Sequence, residues 1–280
     1  MTTHAISPLE SRLRGLRAEG RAGLVPFLTA GYPDRATSAR LLVACARAGA
    51  AAIELGLPFS DPLADGPALQ EASQVALDGG TTVAHALELV REFTATPEGR
   101  DVPVVVMTYA NPVLAYGVER FAQDAAAAGV RGIIVSDLPL GERSDVWAAF
   151  AAAGLDIIPL IAPTTAPARV AGIVGRASGF VYCLSRTGVT GDSRVFSAEL
   201  DEVVRAVRAR TDVPVGIGFG IDDAAKARFV AEKADAVIVG AAIARRIAAA
   251  RASGGDAVVA AVEPFVRELV AAVSGVHKSN

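Results

Sequence analysis

The chain has 280 residues, 27 of them Lys or Arg and 30 Asp or Glu, for a formal net charge of −3, and 52% are hydrophobic. That length and apolar content suffice to bury one large core. The balanced charge, with no Lys/Arg block, argues against a nucleic-acid backbone or an anionic membrane and for a small molecule or another protein as partner.

In chain order, the opening stretch MTTHAISPLESRLRGLRAEGR breaks every apolar group with charge before a signal-peptide core forms, and it reads as an extra helix over about residues 5–20. Short β-rich runs follow at GLVPFLTA (23–30), AAIELG (51–56), VPVVVMTY (102–109), GIIVSD (132–137), LDIIPLI (155–161), GFVYCLS (179–185), VPVGIGFG (213–220) and ADAVIVGA (234–241). Most are continuously apolar, the pattern of parallel strands covered on both faces. Between them lie Ala-rich segments with helical spacing, such as ATSARLLVACARAG and VERFAQDAAAAG, several ending at Gly. Eight β-then-α units match the rhythm of a single-domain (β/α)8 TIM barrel over residues 1–280, with residues 275–280 expected to be disordered. A doubly wound open sheet also alternates, but no G-x-G-x-x-G opens a helix after the first run. Near the C-terminus VVAAVEPFVRELVAAV is greasy, yet Glu, Pro and Arg interrupt it, so no membrane span is expected and the chain is expected to be cytoplasmic. Cys45 and Cys183 lie in apolar settings without ligand spacing, which fits buried thiols in a reducing compartment better than a disulfide or zinc site.

Two intervals exceed a plain unit. PFSDPLADGP and two helical stretches follow the second predicted strand, and SRTGVTGDSR follows the sixth. Barrel enzymes carry their chemistry on loops at strand C-termini, so long loops after strands 2 and 6 mark the working face. In AAIELG, alternation places Glu54 with Ala52 and Gly56 on the face opposite Ile53 and Leu55, and hence into the barrel mouth if those two meet the helices. A carboxyl buried there without a partner has its pKa raised and becomes a proton donor near neutrality. A Glu paired with a base is the plain alternative. Asp65 lies in LADGP on the loop leaving strand 2, a loop stiffened by Pro58, Pro62 and Pro67, which permits a second carboxylate above Glu54. Asp34 and Asp61 beside prolines read as turn residues.

Strand 7 ends GIGFG, with Gly218 and Gly220 about Phe219, and in strand 8 Gly240 leads into a helix at Ala241. Glycines on adjacent strand ends plus a helix N-terminus suit a phosphate cradle, because backbone N–H groups approach the oxygens and the helix dipole favours an anion; tight packing is the plain alternative. GVTGDSR, hinged at Gly188 and Gly191, suits a lid or an ordinary loop. His4, His85 and His277 fall away from any strand end, so a histidine base and a metal site are not expected, and the predicted strands hold no Lys for an imine.

The motifs IELGLPFSDPLADGPALQ, TYANPV, YCLSRTGVTG and GFGI, in this order, closely resemble the tryptophan synthase alpha subunit family from about residue 26 to residue 243. The resemblance implies a (β/α)8 barrel that cleaves indole-3-glycerol phosphate to indole and glyceraldehyde 3-phosphate. It implies no cofactor in this chain and an alpha2-beta2 tetramer with a beta subunit that carries pyridoxal phosphate. By the same resemblance Glu54 and Asp65 are the catalytic carboxylates. Tyr182 matches the family's strand 6 tyrosine and Thr190 the loop threonine near the aspartate. Gly191, Gly220 and Gly240 match phosphate contacts, and Phe27, Tyr109 and Phe219 line or flank the indole pocket. Pro58, Asp61, Asn111 and Pro139 fall at the beta-subunit interface. One departure is Ala241, where the family commonly has Ser: a hydroxyl is missing while the N–H remains. A stand-alone lyase releasing free indole, and another phosphate-sugar barrel enzyme, are the alternatives.

Overall fold

The computed structural model describes residues 6–184, 193–218 and 220–276, without the side chains of Pro167 and of residues 193–200. It begins with α1 (Pro8–Ala18), whose first turn holds Pro8 and whose cap Ser7 accepts a hydrogen bond from the Glu10 N–H. The strands are β1 (Gly23–Thr29), β2 (Ile53–Gly56), β3 (Val104–Thr108), β4 (Val130–Val135), β5 (Asp156–Ile157), β6 (Leu160–Ile161), β7 (Val181–Leu184), β8 (Val215–Gly218) and β9 (Ala236–Val239). Around them run α2 (Arg35–Arg47), α3 (Pro67–Asp78), α4 (Val83–Thr94), α5 (Ala110–Tyr116), α6 (Val118–Ala128), α7 (Ser144–Ala152), α8 (Pro167–Val174), α9 (Ser193–Arg208), α10 (Ala224–Ala231), α11 (Ala241–Ala250) and α12 (Gly255–Ser274). Asp34, read as a turn residue, caps α2 by accepting from the Thr37 N–H at 2.8 Å. No helix among the described residues is long and apolar enough to cross a membrane.

The strands are parallel in the order β5-β4-β3-β2-β1-β9-β8-β7-β6. Its two ends, β5 and β6, are separated in sequence only by Ile158 and Pro159. The Ile158 N–H donates to Ile133 on β4 at 3.1 Å, and the Pro159 carbonyl accepts from Tyr182 on β7 at 3.0 Å, so one extended segment pairs on both sides and closes the sheet into a barrel. The fifth predicted strand, 155–161, is therefore two short strands, broken where proline offers no N–H to a ladder.

Outward side chains such as Ile53, Leu55, Val104 and Val106 join Leu41, Leu42, Val90 and Phe121 from the helices in one outer core. Inward ones, Val25, Ala52, Val105, Ile134, Ile158, Phe180 and Ile238, form a second core, which Leu9 and Leu13 of α1 plug at the strand N-termini. Buried acids at that closed end are paired. Glu10 accepts from Arg14 Nε at 2.8 Å and the Gly179 N–H at 3.3 Å, Asp235 accepts from Arg208 at 3.1 Å and the Val215 N–H at 2.9 Å, and Ser7 donates to Asp156. The other end is open.

Candidate active site

Strand β2 delivers Glu54 to the open end. In register it lies beside Phe27 of β1 and Val105 of β3, and its same-face neighbours are Ala52 and Gly56. Gly56 is needed for close approach, since a Cβ there would lie 2.4 Å from the Phe27 ring; Gly240, 3.2 Å by the same measure, borders Phe27 from β9. Glu54 is 1% exposed, and among the described residues neither carboxyl oxygen has a hydrogen-bond partner. Burial, and then the nearby charge of Asp65, push its pKa up to about 8. The alternative of a Glu paired with a base is thus absent among the described residues, in contrast with Glu10 and Asp235.

Asp65 is carried back over the strand ends by the loop between β2 and α3. Its N–H donates to Pro62 at 2.9 Å, and its carbonyl accepts from Gln70 Nε2 at 2.9 Å. Tyr109, just after β3, fixes the carboxylate: its hydroxyl donates to Asp65 Oδ2 at 3.0 Å and accepts from the Ala64 N–H at 3.2 Å, and its ring packs on Phe59 at 5.1 Å. Asp65 is half-buried, and burial raises its pKa, with the Tyr109 hydrogen bond opposing the rise. The two acids are separated by the donor that one has and the other lacks.

Both carboxyls line one cavity of about 230 Å³. Met107, Leu160 and Leu184 give it apolar walls beside Phe27 and Tyr182. Tyr182 is buried, and burial first, then the charges of Glu54 and Asp65, raise its phenol well above the ordinary range, so it stays neutral. Gly218 does not line the cavity; it makes room beneath Tyr182, whose hydroxyl would sit 2.2 Å from a Cβ there. Gly220, in the left-handed region at φ +70, Gly240 and Ala241 form the far end, where α11 starts with no side-chain cap, so its first N–H groups face outward from the helix. Thr190, Gly191 and Phe219, with the Gly188 hinge, lie outside the described residues. A larger groove of about 530 Å³ between α7 and α8 contains neither Glu54 nor Asp65.

Of the other expected positions, Asp61, Asn111 and Pro139 are exposed on the loops and the α5 turn after β2, β3 and β4, and Pro58 is buried beneath them. Sequence reading missed Ser136, Leu69 and Arg245 in the cavity lining, and the apolar side chains Leu63 and Leu114 that protrude at this face, 92% and 40% exposed. Alternation along the predicted strands places Met107 and Leu160 inward; nothing local marks Leu63. His85 is exposed on α4, and among the described residues no three His, Cys, Asp or Glu side chains cluster as metal ligands.

A family model described as tryptophan synthase alpha chain matches residues 13–274.

The chain belongs to the tryptophan synthase alpha chain family.

The alpha chain of Acidiphilium cryptum is 44% identical over 277 residues, covering 98% of this chain and 100% of that one, and that of Burkholderia multivorans is 44% identical over 270 residues, covering 96% and 98%. Among solved structures, tryptophan synthase from M. tuberculosis in its aminoacrylate- and BRD0059-bound form superposes with a TM-score of 0.85 at 38% identity, covering 96% of this chain and 99% of that one. The alpha chain of Legionella pneumophila superposes with a TM-score of 0.85 at 34% identity, covering 96% and 98%. As a tryptophan synthase alpha chain, this protein is a lyase of tryptophan biosynthesis that cleaves indole-3-glycerol phosphate and works with a beta subunit. The alpha chain needs no cofactor, and the pyridoxal phosphate belongs to the beta subunit.

Proposed function

We propose that Glu54 and Asp65 divide the cleavage of indole-3-glycerol phosphate between them. Expelling indole requires a proton at ring carbon C3 and stabilisation of positive charge at the ring nitrogen. Protonated Glu54 gives its proton to C3, while ionised Asp65, held by Tyr109, accepts the ring N–H and stabilises the indolenine cation. Glu54, now a carboxylate, takes the proton of the side-chain hydroxyl on the carbon bonded to C3. That C–C bond breaks, its electron pair restores the indole ring, and the alkoxide carbon becomes the aldehyde of glyceraldehyde 3-phosphate. Glu54 ends protonated, ready for the next turnover.

The observation that carries this reading is the unpaired, buried Glu54 carboxyl sharing one apolar-walled cavity with a hydrogen-bonded Asp65. Like charges close together disfavour double ionisation, and the Tyr109 donor favours the charge on Asp65, which leaves the proton on Glu54. The apolar walls from Phe27, Met107 and Leu160 suit the indole ring. The phosphate goes to the far end, at Gly220, Gly240 and the first amides of α11, where binding energy remote from the reacting carbon holds it in line. The lid role of the loop with Thr190 and Gly191 rests on the family resemblance alone.

The partner is a beta subunit in an alpha2-beta2 tetramer in the cytoplasm, docking on the face of Pro58, Asp61, Asn111 and Pro139. Assaying indole release by Glu54→Gln and Asp65→Asn tests the mechanism: each is expected to lose at least about a hundredfold in kcat, the usual contribution of a positioned acid or charge stabiliser. Wild-type activity in both variants would remove the assigned roles. Turnover measured with and without a beta subunit addresses the partner. Strong stimulation is expected, whereas full activity alone would mark a stand-alone lyase.

A further inference from the structure

The cavity's charged lining is lopsided: Glu54, Asp65 and Asp222 are its acids, and Arg245 is its one base among the described residues. Asp222 is already neutralised by Lys226, whose Nζ lies 2.6 Å from its Oδ1. Arg245 is exposed and makes no hydrogen bond or ion pair among the described residues. Its neighbour behaves differently, for Arg246 lies over the Phe265 ring at 3.3 Å and donates to the Ala242 carbonyl at 3.3 Å. One of two adjacent arginines is thus packed into the outer core and the other is turned to the cavity.

Geometry on α11 gives the second part. Ala241 and Arg245 are four residues apart, on one face, and helical side chains lean toward the N-terminus, so the guanidinium reaches back over Ala241 toward the helix start. At that start no side chain caps the helix, and Ala241 offers an N–H but no hydroxyl. A phosphate there adds nearly two negative charges to a cavity that Asp65 and Asp222 also line. Backbone amides supply hydrogen bonds without net charge, and an arginine supplies both.

We infer that Arg245 binds the substrate's phosphate at the start of α11 and supplies the one full positive charge of that subsite among the described residues. This rests on the reading that the Gly220 and Gly240 end takes the phosphate. Arg245 is a binding residue and does not touch the reacting carbon, so its loss acts on KM and leaves kcat nearly unchanged.

The test uses the full chain with its beta subunit, comparing wild type, Arg245→Gln and Arg245→Lys for indole-3-glycerol phosphate turnover and for inhibition by glycerol 3-phosphate. In the Gln variant, KM and the inhibition constant are expected to rise about tenfold, as for loss of one charge-assisted contact, with kcat within about twofold. Lys is expected to keep most of the affinity, and the inhibition constant is expected to depend less on salt in Gln than in wild type. Adding Ala241→Ser to Arg245→Gln is expected to recover part of the loss through one added hydrogen bond at the helix start. Equal inhibition of wild type and Arg245→Gln by glycerol 3-phosphate would overturn the assignment of Arg245 while leaving the phosphate end standing. No inhibition of wild type at all would overturn the phosphate end itself.

Discussion

In the proposed mechanism Glu54 sets the pH behaviour of this enzyme. A carboxyl pushed from 4.5 up to about 8 stays protonated at neutrality, so cleavage that begins with its proton is expected to fall as pH rises through about 8, an upper limb that a pH profile of kcat/KM, which reports the free enzyme, measures. Stability follows the same proton. The folded state holds it more tightly than the unfolded chain, so this contribution is complete below the ordinary carboxyl pKa and is lost as pH rises through the folded value. Glu54→Gln, which cannot ionise, is expected to gain stability relative to wild type across that interval, as read by urea melts at successive pH values. Tyr109 is the complementary case. Tyr109→Phe removes the donor to Asp65 and leaves the Ala64 N–H without its acceptor, and is expected to cost about 1 kcal/mol in stability and roughly tenfold in kcat. The inward placing of Glu54 is legible in the motif AAIELG because strand alternation is local. The contact of Tyr109 with Asp65 is not, because it spans two loops.

Among the elements, α1 seals one end of the barrel and the broken fifth strand closes its wall. The α1 plug presents Leu9 and Leu13, both 0% exposed, to the inner core, and each such side chain contributes about 1.5–3 kcal/mol on burial. Leu13→Ala is expected to destabilise the fold by about 3 kcal/mol, measured by denaturant midpoint, with KM unchanged, since the plug lies at the end opposite the cavity. A helix over about residues 5–20 was expected from the sequence, although its function as a plug was not. The split of residues 155–161 escaped a pattern method because the segment is continuously apolar, and only the partner on each side shows where pairing changes from β4 to β7. Helix α5 was also missed, because its seven residues are too few for a period to show.

At the scale of the whole molecule, the closed end is sealed by paired acids and apolar side chains, and the open end holds the unpaired carboxyl, uncapped helix start and exposed Leu63 and Leu114 together. Exposed apolar side chains beside the site fit the proposed docking face for the beta subunit. Leu114→Asp is expected to weaken stimulation by the beta subunit while the activity of the isolated chain is unchanged, which titration of one subunit with the other measures. The sequence by itself determined the barrel, the strand face that carries Glu54 and the place of Asp65 on the long loop after it, since strand period, loop length and motif order are properties of neighbouring residues. Only the tertiary structure decided that Glu54 has no partner among the described residues while Asp65 has one, and that Arg245 shares their cavity. Those outcomes depend on which distant segments closure of the sheet brings within hydrogen-bond reach, and no local pattern encodes that.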